Sequence, residues 1–339
     1  MLGGPVGRLR SVGGVGVRQA RIVSVVVPTR DRPQLLDQAL ASIRALEGTD
    51  LTFEILVGDN GSNHDATGTV TQAHGAQHLI VTTAGAGAAR NAAMRAATGE
   101  FLAFLDDDDV WTEQHVRPHL ELFDRQPEVE AVFGQVVIAD PDLRPIARPI
   151  PDDVRSDGDH LKMMLDGYFP QIGATMARIG VRDAYGYFDE TLMADQDWDW
   201  HLRVAGGGHM QHVAVPCVLF RQRPSGSYDA LVLSRIPYTR KVFMRHAVPV
   251  WRKWRSPKEW LHSYFATLLG FYTYFADAAV ERAAKGDAKG VRFAVRHALL
   301  VFPFRAVRDL VTPTPLRTAF FWSIGMGARP PATEDAALD

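Results

Sequence analysis

The chain has 339 residues, 46% of them hydrophobic and 22% charged, a balance that excludes a disordered chain, a collagen and a coiled coil. A single cysteine, Cys217, excludes a disulfide framework and a cysteine-based zinc site, and fits a reducing compartment. The net charge of −2 hides an asymmetry: Arg235 to Arg329 holds 17 Lys or Arg against 5 Asp or Glu, and the rest holds 20 against 34, so two regions are expected to face different partners. At about 150 residues per domain the length gives one large domain plus an appendage, or two domains.

Residues 1–21 lack the run of about 7–15 apolar residues that a secretory signal needs, and are expected to be a loose tail or a misplaced start. Ile22–Val27 is short and β-branched, the pattern of a strand buried on both faces. Pro33–Leu46 has apolar residues at helical spacing. Strands are expected at Phe53–Val57, His78–Thr82 and Glu100–Leu105, with an Ala-rich helix over Ala86–Ala97. This alternation predicts an α/β fold with a mostly parallel sheet flanked by helices. Ligands of such sheets bind off the carboxyl ends of the strands, where Thr29-Arg30-Asp31, Asp59-Asn60 and Asp106–Asp109 all fall. A strand at Val129–Ala139, a loop over 140–160, a helix near Gln196–Ala205 and a strand at Val213–Phe220 follow. Beyond about residue 230 the composition turns aromatic, basic and helical. The expected division is a tail at 1–21, an α/β domain at 22–230 and a helical region at 231–339.

Four adjacent aspartates repel one another, and here they end a strand that should be buried. A cation offsets that cost, and oxygen ligands suit Mg²⁺ or Mn²⁺. A solvated acidic turn is the plainer reading of an isolated run. The spacing of His and Cys shows no metal cluster, which argues against a zinc hydrolase.

Val23-Ser-Val-Val-Val-Pro28-Thr29, Val57-Gly58-Asp59-Asn60-Gly61-Ser62, Ala89-Arg90-Asn91-Ala92-Ala93 and Phe104-Leu105-Asp106-Asp107-Asp108-Asp109 occur in that order. Together they resemble the motifs of family 2 glycosyltransferases, which have the GT-A fold and use nucleotide-sugar donors. Tyr187-Phe188-Asp189-Glu190 and Gln196–Arg203 resemble the family's acceptor-side motifs, so the resemblance spans roughly residues 22–225. It implies that Pro28, Thr29 and Asp31 touch the nucleoside, that Asp59 reads the base (commonly uracil, favouring a UDP-sugar), and that Arg90 lies beside the nucleotide. It further implies an Asp-x-Asp type signature at Asp106 to Asp108, with Asp107 near the ribose and Asp108 as the metal ligand for Mn²⁺ or Mg²⁺. Asp197 matches the catalytic base, which implies inversion by a single displacement.

Asp189, Asp195 and Asp199 rival Asp197. On a helix Asp195 and Asp199 share a face at i, i+4 and Asp197 points elsewhere. Gln196 stands where the family often has glutamate. Arg223 stands where relatives have histidine; Arg221 and Arg223 pair with diphosphate or are surface charge. Trp198 and Trp200 are expected in the core, and Cys217 is expected to pack.

Between Asp229 and Glu259 no acidic residue occurs, while eight Lys or Arg do, interleaved with Trp251 and Trp254. Trp260–Val280 is borderline for the about 20 apolar residues of a spanning helix, and Val291–Val311 repeats the apolar-plus-arginine pattern. A basic, Trp-bearing helical region suits an anionic membrane surface. A helical cap on the domain or a homodimer interface is the alternative. No recognition motif supports nucleic acid. The expected acceptor is a sugar, lipid-linked or polyol hydroxyl in envelope or polysaccharide synthesis, and the expected location is the cytoplasm or the cytoplasmic membrane face. The rival readings are a metal-dependent nucleotidyltransferase, whose glycine-rich loop is missing after Val27, and a membrane-bound scaffold.

Overall fold

The computed structural model describes residues 20–61, 63–152, 159–222, 228–250 and 257–330. Ser62, Arg223, Trp251, Trp254 and nearly all of the N-terminal tail lie outside the described residues. Strand β1 (Arg21–Thr29) buries every residue from Val23 to Thr29. Strands β2 (Leu51–Asp59), β3 (Gln77–Ile80) and β4 (Phe101–Phe104) join it in the parallel order β3-β2-β1-β4. Alternate β1 residues serve opposite faces, as the two-residue period of a strand requires. Val25 and Val27 pack with Leu36 and Leu40 of α1 (Pro33–Arg44), whereas Val26 packs with Ala93 and Met94 of α3 (Ala86–Ala96). A Cβ at Gly58 would lie 2.3 Å from the Ala89 carbonyl oxygen. Only glycine at the end of β2 lets α3 approach this closely.

Between β2 and β3 runs α2 (His64–Ala73), whose first turn is capped by the Asn63 side chain accepting from the Ala66 amide. Beyond β4 the sheet turns mixed. Strand β5 (Val110–Trp111) is the short far edge, followed by α4 (Val116–Arg125) and β6 (Ala131–Ala139). After α5 (His160–Leu165), β7 (Thr175–Arg178) inserts antiparallel between β4 and β6. The short α6 (Val181–Tyr185) and α7 (Gln196–Gly207) lead to β8 (Met210–Arg221), which pairs parallel with β6 and antiparallel with β5. The parallel expectation therefore holds for the four N-terminal strands. The other half of the sheet is mixed because β7 returns between two strands already in place.

Helices α8 (Tyr228–Val250), α9 (Pro257–Ala284), α10 (Ala288–Val301), α11 (Pro303–Val311) and α12 (Pro315–Ser323) form the C-terminal region. Leu268, Tyr272 and Phe275 of α9 pack with Val291, Val295 and Ala298 of α10 in a core of their own. Val242 and Phe243 of α8 instead join the core around Trp198 and Trp200. None of the described helices is long and apolar enough to cross a membrane. The apolar stretch Trp260–Val280 is a packed helix.

Candidate active site

The carboxyl ends of β1 and β4 and the start of α3 enclose a cavity of about 260 Å³. Pro28, Thr29, Arg30 and Arg32 line one side; Asn60, Gly85, Ala86, Ala89 and Arg90 line another; Asp106, Asp107 and Asp108 form the floor. The acidic floor is held by protein cations. Arg32 lies 2.6 Å from Asp107 and 2.8 Å from Asp108. Arg90 donates to Asp106 at 2.5 Å. Arg221 donates from Nε to the Asp108 carbonyl (2.8 Å) and from its backbone amide to Asp109 (2.9 Å). Arg221 is therefore a brace for the acidic loop rather than a surface charge.

These carboxylates differ in electrostatic state. Burial pushes Asp107 up to about 6, against the pull of Arg32 and the Thr29 hydroxyl, which donates to it at 2.7 Å. Burial, with Asp106 and Asp108 nearby, pushes Asp109 well above the carboxylate range. Desolvation disfavours the charged form, and neighbouring anions add to it. Asp106 and Asp108 keep more contact with solvent: their side chains are 26% and 11% exposed, against 1% for Asp107. The donors are all oxygen, so the floor fits a hard divalent cation.

Asp31 and Asp59 are not among the residues that line the cavity. Asp31 has a left-handed backbone (φ 53°) and accepts from the Asn63 amide at 3.0 Å. A Cβ at Gly61 would lie 2.6 Å from that carboxylate, so glycine is needed there. Asp59 is fully buried. Its Oδ2 is shared by His64 (2.7 Å) and His78 (2.8 Å), and its Oδ1 accepts from the Gly61 amide. Burial works to raise this carboxyl, but those three bonds hold it below the usual range. Asn60 takes the place on the wall, fixed by bonds to the Val81 carbonyl and the Gly85 amide.

Asp197 stands at the start of α7, beside the cavity rather than in its lining. Asn91 of α3 grips the segment leading to α7, bonding the Phe188 amide and carbonyl and the Glu190 carboxylate. The negative charge of Asp197 acts directly on Arg90, whose Nε and Nη1 are buried without a hydrogen-bond partner among the described residues. The three rival aspartates are engaged elsewhere. Asp195, left-handed at φ 58°, is bound by Arg235 and the Thr239 hydroxyl of α8. Asp199 is bound by Arg203, and by Arg245 and His246 of α8. Asp189 is bound by Arg245 and Thr191. Asp197 accepts from the Trp198 amide and has no cation within ion-pair distance among the described residues. Trp198 and Trp200 are buried in the core, as expected.

Folding also assembles ligating groups that linear spacing hides. Cys217 of β8 comes within 4.8 Å of His115 and His119 at the start of α4. All three are fully buried, and Trp111 stacks on His115 at 4.1 Å. Burial holds His115 well below the usual histidine range and His119 down to about 4, so both rings are neutral core residues. Burial likewise raises the Cys217 thiol, which packs as expected.

The model of the family described as Glycosyl transferase family 2 matches residues 24–182. This chain carries a family 2 glycosyltransferase domain. An uncharacterized glycosyltransferase of Nostoc is 31% identical over 123 residues, 35% of this chain and 37% of that protein. The Escherichia coli protein WfgD, named UDP-Glc:alpha-D-GlcNAc-diphosphoundecaprenol beta-1,3-glucosyltransferase, is 31% identical over 93 residues. That match covers 26% of this chain and 36% of WfgD. The chain thus matches little more than a third of the length of these two relatives. An uncharacterized glycosyltransferase of Methanocaldococcus jannaschii is 22% identical over 76% of this chain and 88% of its own. Among solved structures, S. aureus TarS 1-349 superposes with a TM-score of 0.54 at 16% identity, covering 91% of this chain and 93% of that chain. Its complex with UDP-GlcNAc gives the same TM-score. The glycosyltransferase domain therefore shares the GT-A fold, and its C-terminal helices fall within the superposed length.

Proposed function

We propose that the chain transfers a sugar from a nucleoside-diphosphate sugar to an acceptor hydroxyl, with inversion at the anomeric carbon. The observation that carries this reading is one cavity at the strand ends in which Thr29, Arg90 and three successive carboxylates meet, with Asp197 next to it. Residues 22–230 do the chemistry in this reading, and 231–339 are a helical region.

The donor's diphosphate enters between Arg90, the amino end of α3 and the acidic floor. Arg90 and the helix amides stabilise the charge that builds on the leaving phosphate. Asp108 and Asp106 would hold Mn²⁺ or Mg²⁺, which supplies further charge neutralisation there. Pro28, Thr29 and Asn60 form the wall for the nucleoside, while Asp31 and Asp59 shape that wall from behind. Asp197 takes the proton of the acceptor hydroxyl. Among the described residues it has no ion-pair partner, whereas the three neighbouring aspartates are each bound by arginine. A UDP-sugar is favoured as donor, because TarS was solved with UDP-GlcNAc and WfgD is named for UDP-Glc. A lipid-linked acceptor agrees with the name of WfgD; a sugar or polyol hydroxyl satisfies the same chemistry. Work in the cytoplasm or at the cytoplasmic membrane face belongs to this reading.

A thermal-shift screen of nucleotide sugars with and without Mn²⁺ tests it. The expected result is a Mn²⁺-dependent rise in melting temperature with one donor, followed by release of free nucleoside diphosphate when acceptor is added. Release of pyrophosphate instead would identify a nucleotidyltransferase.

A further inference from the structure

The C-terminal helices present an outward face that the transfer reaction does not use. Phe304, Val307 and Val311 of α11 are 69%, 52% and 70% exposed. Their spacing of three and four residues puts them on one side of the helix, while Ala306 and Asp309 are buried. Leu300, at the end of α10, is 60% exposed. The face continues onto α9, where Phe265 meets the rings of Phe302 at 4.6 Å and Phe304 at 5.7 Å. Leu261 and Leu269, one turn to either side of Phe265, are also exposed. Scattered apolar residues are normal on a protein surface, but a connected face of this kind marks an interaction site.

Basic residues outnumber acidic ones on α10 to α12, while the adjoining α9 also carries Glu259. From Ala288 to Ser323 the chain has six Lys or Arg and one acidic residue, Asp309. Arg305 and Arg308 flank Phe304 and Val307 and both bind Asp309, so two guanidiniums share one carboxylate. Arg296, on the outward side of α10, is exposed.

We propose that α10 and α11, with the adjoining edge of α9, lie on an anionic lipid surface, with Phe304, Val307 and Val311 entering the headgroup boundary and the arginines meeting lipid phosphates. Helices that combine a bulky apolar side with interspersed arginines bind in the plane of a bilayer, and none of the described helices can span one. The same charge disfavours a second copy of this chain as occupant, because a two-fold contact would set arginine against arginine. A nucleic acid would meet the arginines and leave the phenylalanine and valines unsatisfied. The inference goes beyond the proposed transfer and stands without it.

The test is flotation of the full chain with vesicles of phosphatidylglycerol, compared with phosphatidylcholine alone. The chain should float with the anionic vesicles, at least about tenfold less with the neutral ones, and less as salt rises. The double variant F304E/V307E should lose flotation at least about tenfold. Both substitutions lie on the exposed side of α11, so circular dichroism, melting temperature and the donor-induced thermal shift should stay as in the unaltered chain. Arg296→Glu should weaken flotation several-fold by charge alone. Flotation of F304E/V307E equal to that of the unaltered chain would overturn the proposal. So would equal binding to both vesicle types, or a dimer in light scattering that F304E/V307E dissociates.

Discussion

The cavity end of the sheet and the C-terminal helices use arginine in opposite ways. At the cavity, Arg32, Arg90 and Arg221 turn inward and neutralise a run of carboxylates that would otherwise repel one another. Among the C-terminal helices, Arg296, Arg305 and Arg308 remain at the surface. Arg235 and Arg245 break this pattern: they leave the basic region and close on Asp195, Asp189 and Asp199 around the start of α7. The helical region is thus more than an appendage, since it absorbs the charges of three carboxylates flanking Asp197. An apparent split in the charge of the sequence becomes, in three dimensions, a joint between the two regions.

The sharpest way to break the comparison is Asp197→Asn. Transfer should fall by roughly 10²–10⁴-fold, the usual contribution of a general base, while the donor-induced thermal shift persists. Normal transfer by this variant would move the base elsewhere. Asp108→Ala strikes the cavity side alone. Its Mn²⁺-dependent thermal shift with donor should vanish, with donor affinity at least about tenfold weaker, or about 1.4 kcal/mol, by calorimetry. Arg235→Ala strikes the joint. It leaves the buried Asp195 carboxylate with Thr239 and, among the described residues, no paired cation, so stability should drop by about 2–3 kcal/mol in urea unfolding. The turnover number should fall more than the donor KM rises, because Asp195 starts the helix that carries Asp197.

Asp199→Asn has the smallest effect and a distinctive pH signature. Burial tends to raise the Asp199 carboxyl, but the bonds from His246, Arg203 and Arg245 prevail and hold it at about 2. A carboxyl held below its unfolded value stabilises the fold above about pH 4, and that contribution is lost as pH falls through about 2. The variant should therefore cost about 2 kcal/mol at pH 7, with the gap to the unaltered chain closing between pH 4 and pH 2 in urea titrations. A gap that stays constant across that range would show that the network does not work through this charge.

The strands β1, β2 and β4 were legible from the sequence as short apolar runs that end in polar clusters, helix α1 from its helical spacing of apolar residues and α3 from its alanines. Helix α2 was not, since its Thr- and Gly-rich stretch has no apolar stripe and is defined by the Asn63 cap. The reversal of β7 depends on which sheet edge is open after β4, which no local pattern records. In the site, the acidic floor was readable from four consecutive aspartates. That Arg32 and Arg221 brace it was not, because they come from β1's exit and the end of β8, about 75 and 110 positions away. Asp59 and Asn60 sit side by side, and only the pleat of β2 decides which of them meets the cavity.

Arg32 has one more implication. Its guanidinium rests on Asp107 and on Asp108, and Asp108 is one of the two carboxylates that would hold a divalent ion in the proposed reading. An ion held by Asp108 would compete with Arg32 for that carboxylate. In that reading the affinity for metal would depend on where this one side chain rests as well as on the carboxylates themselves.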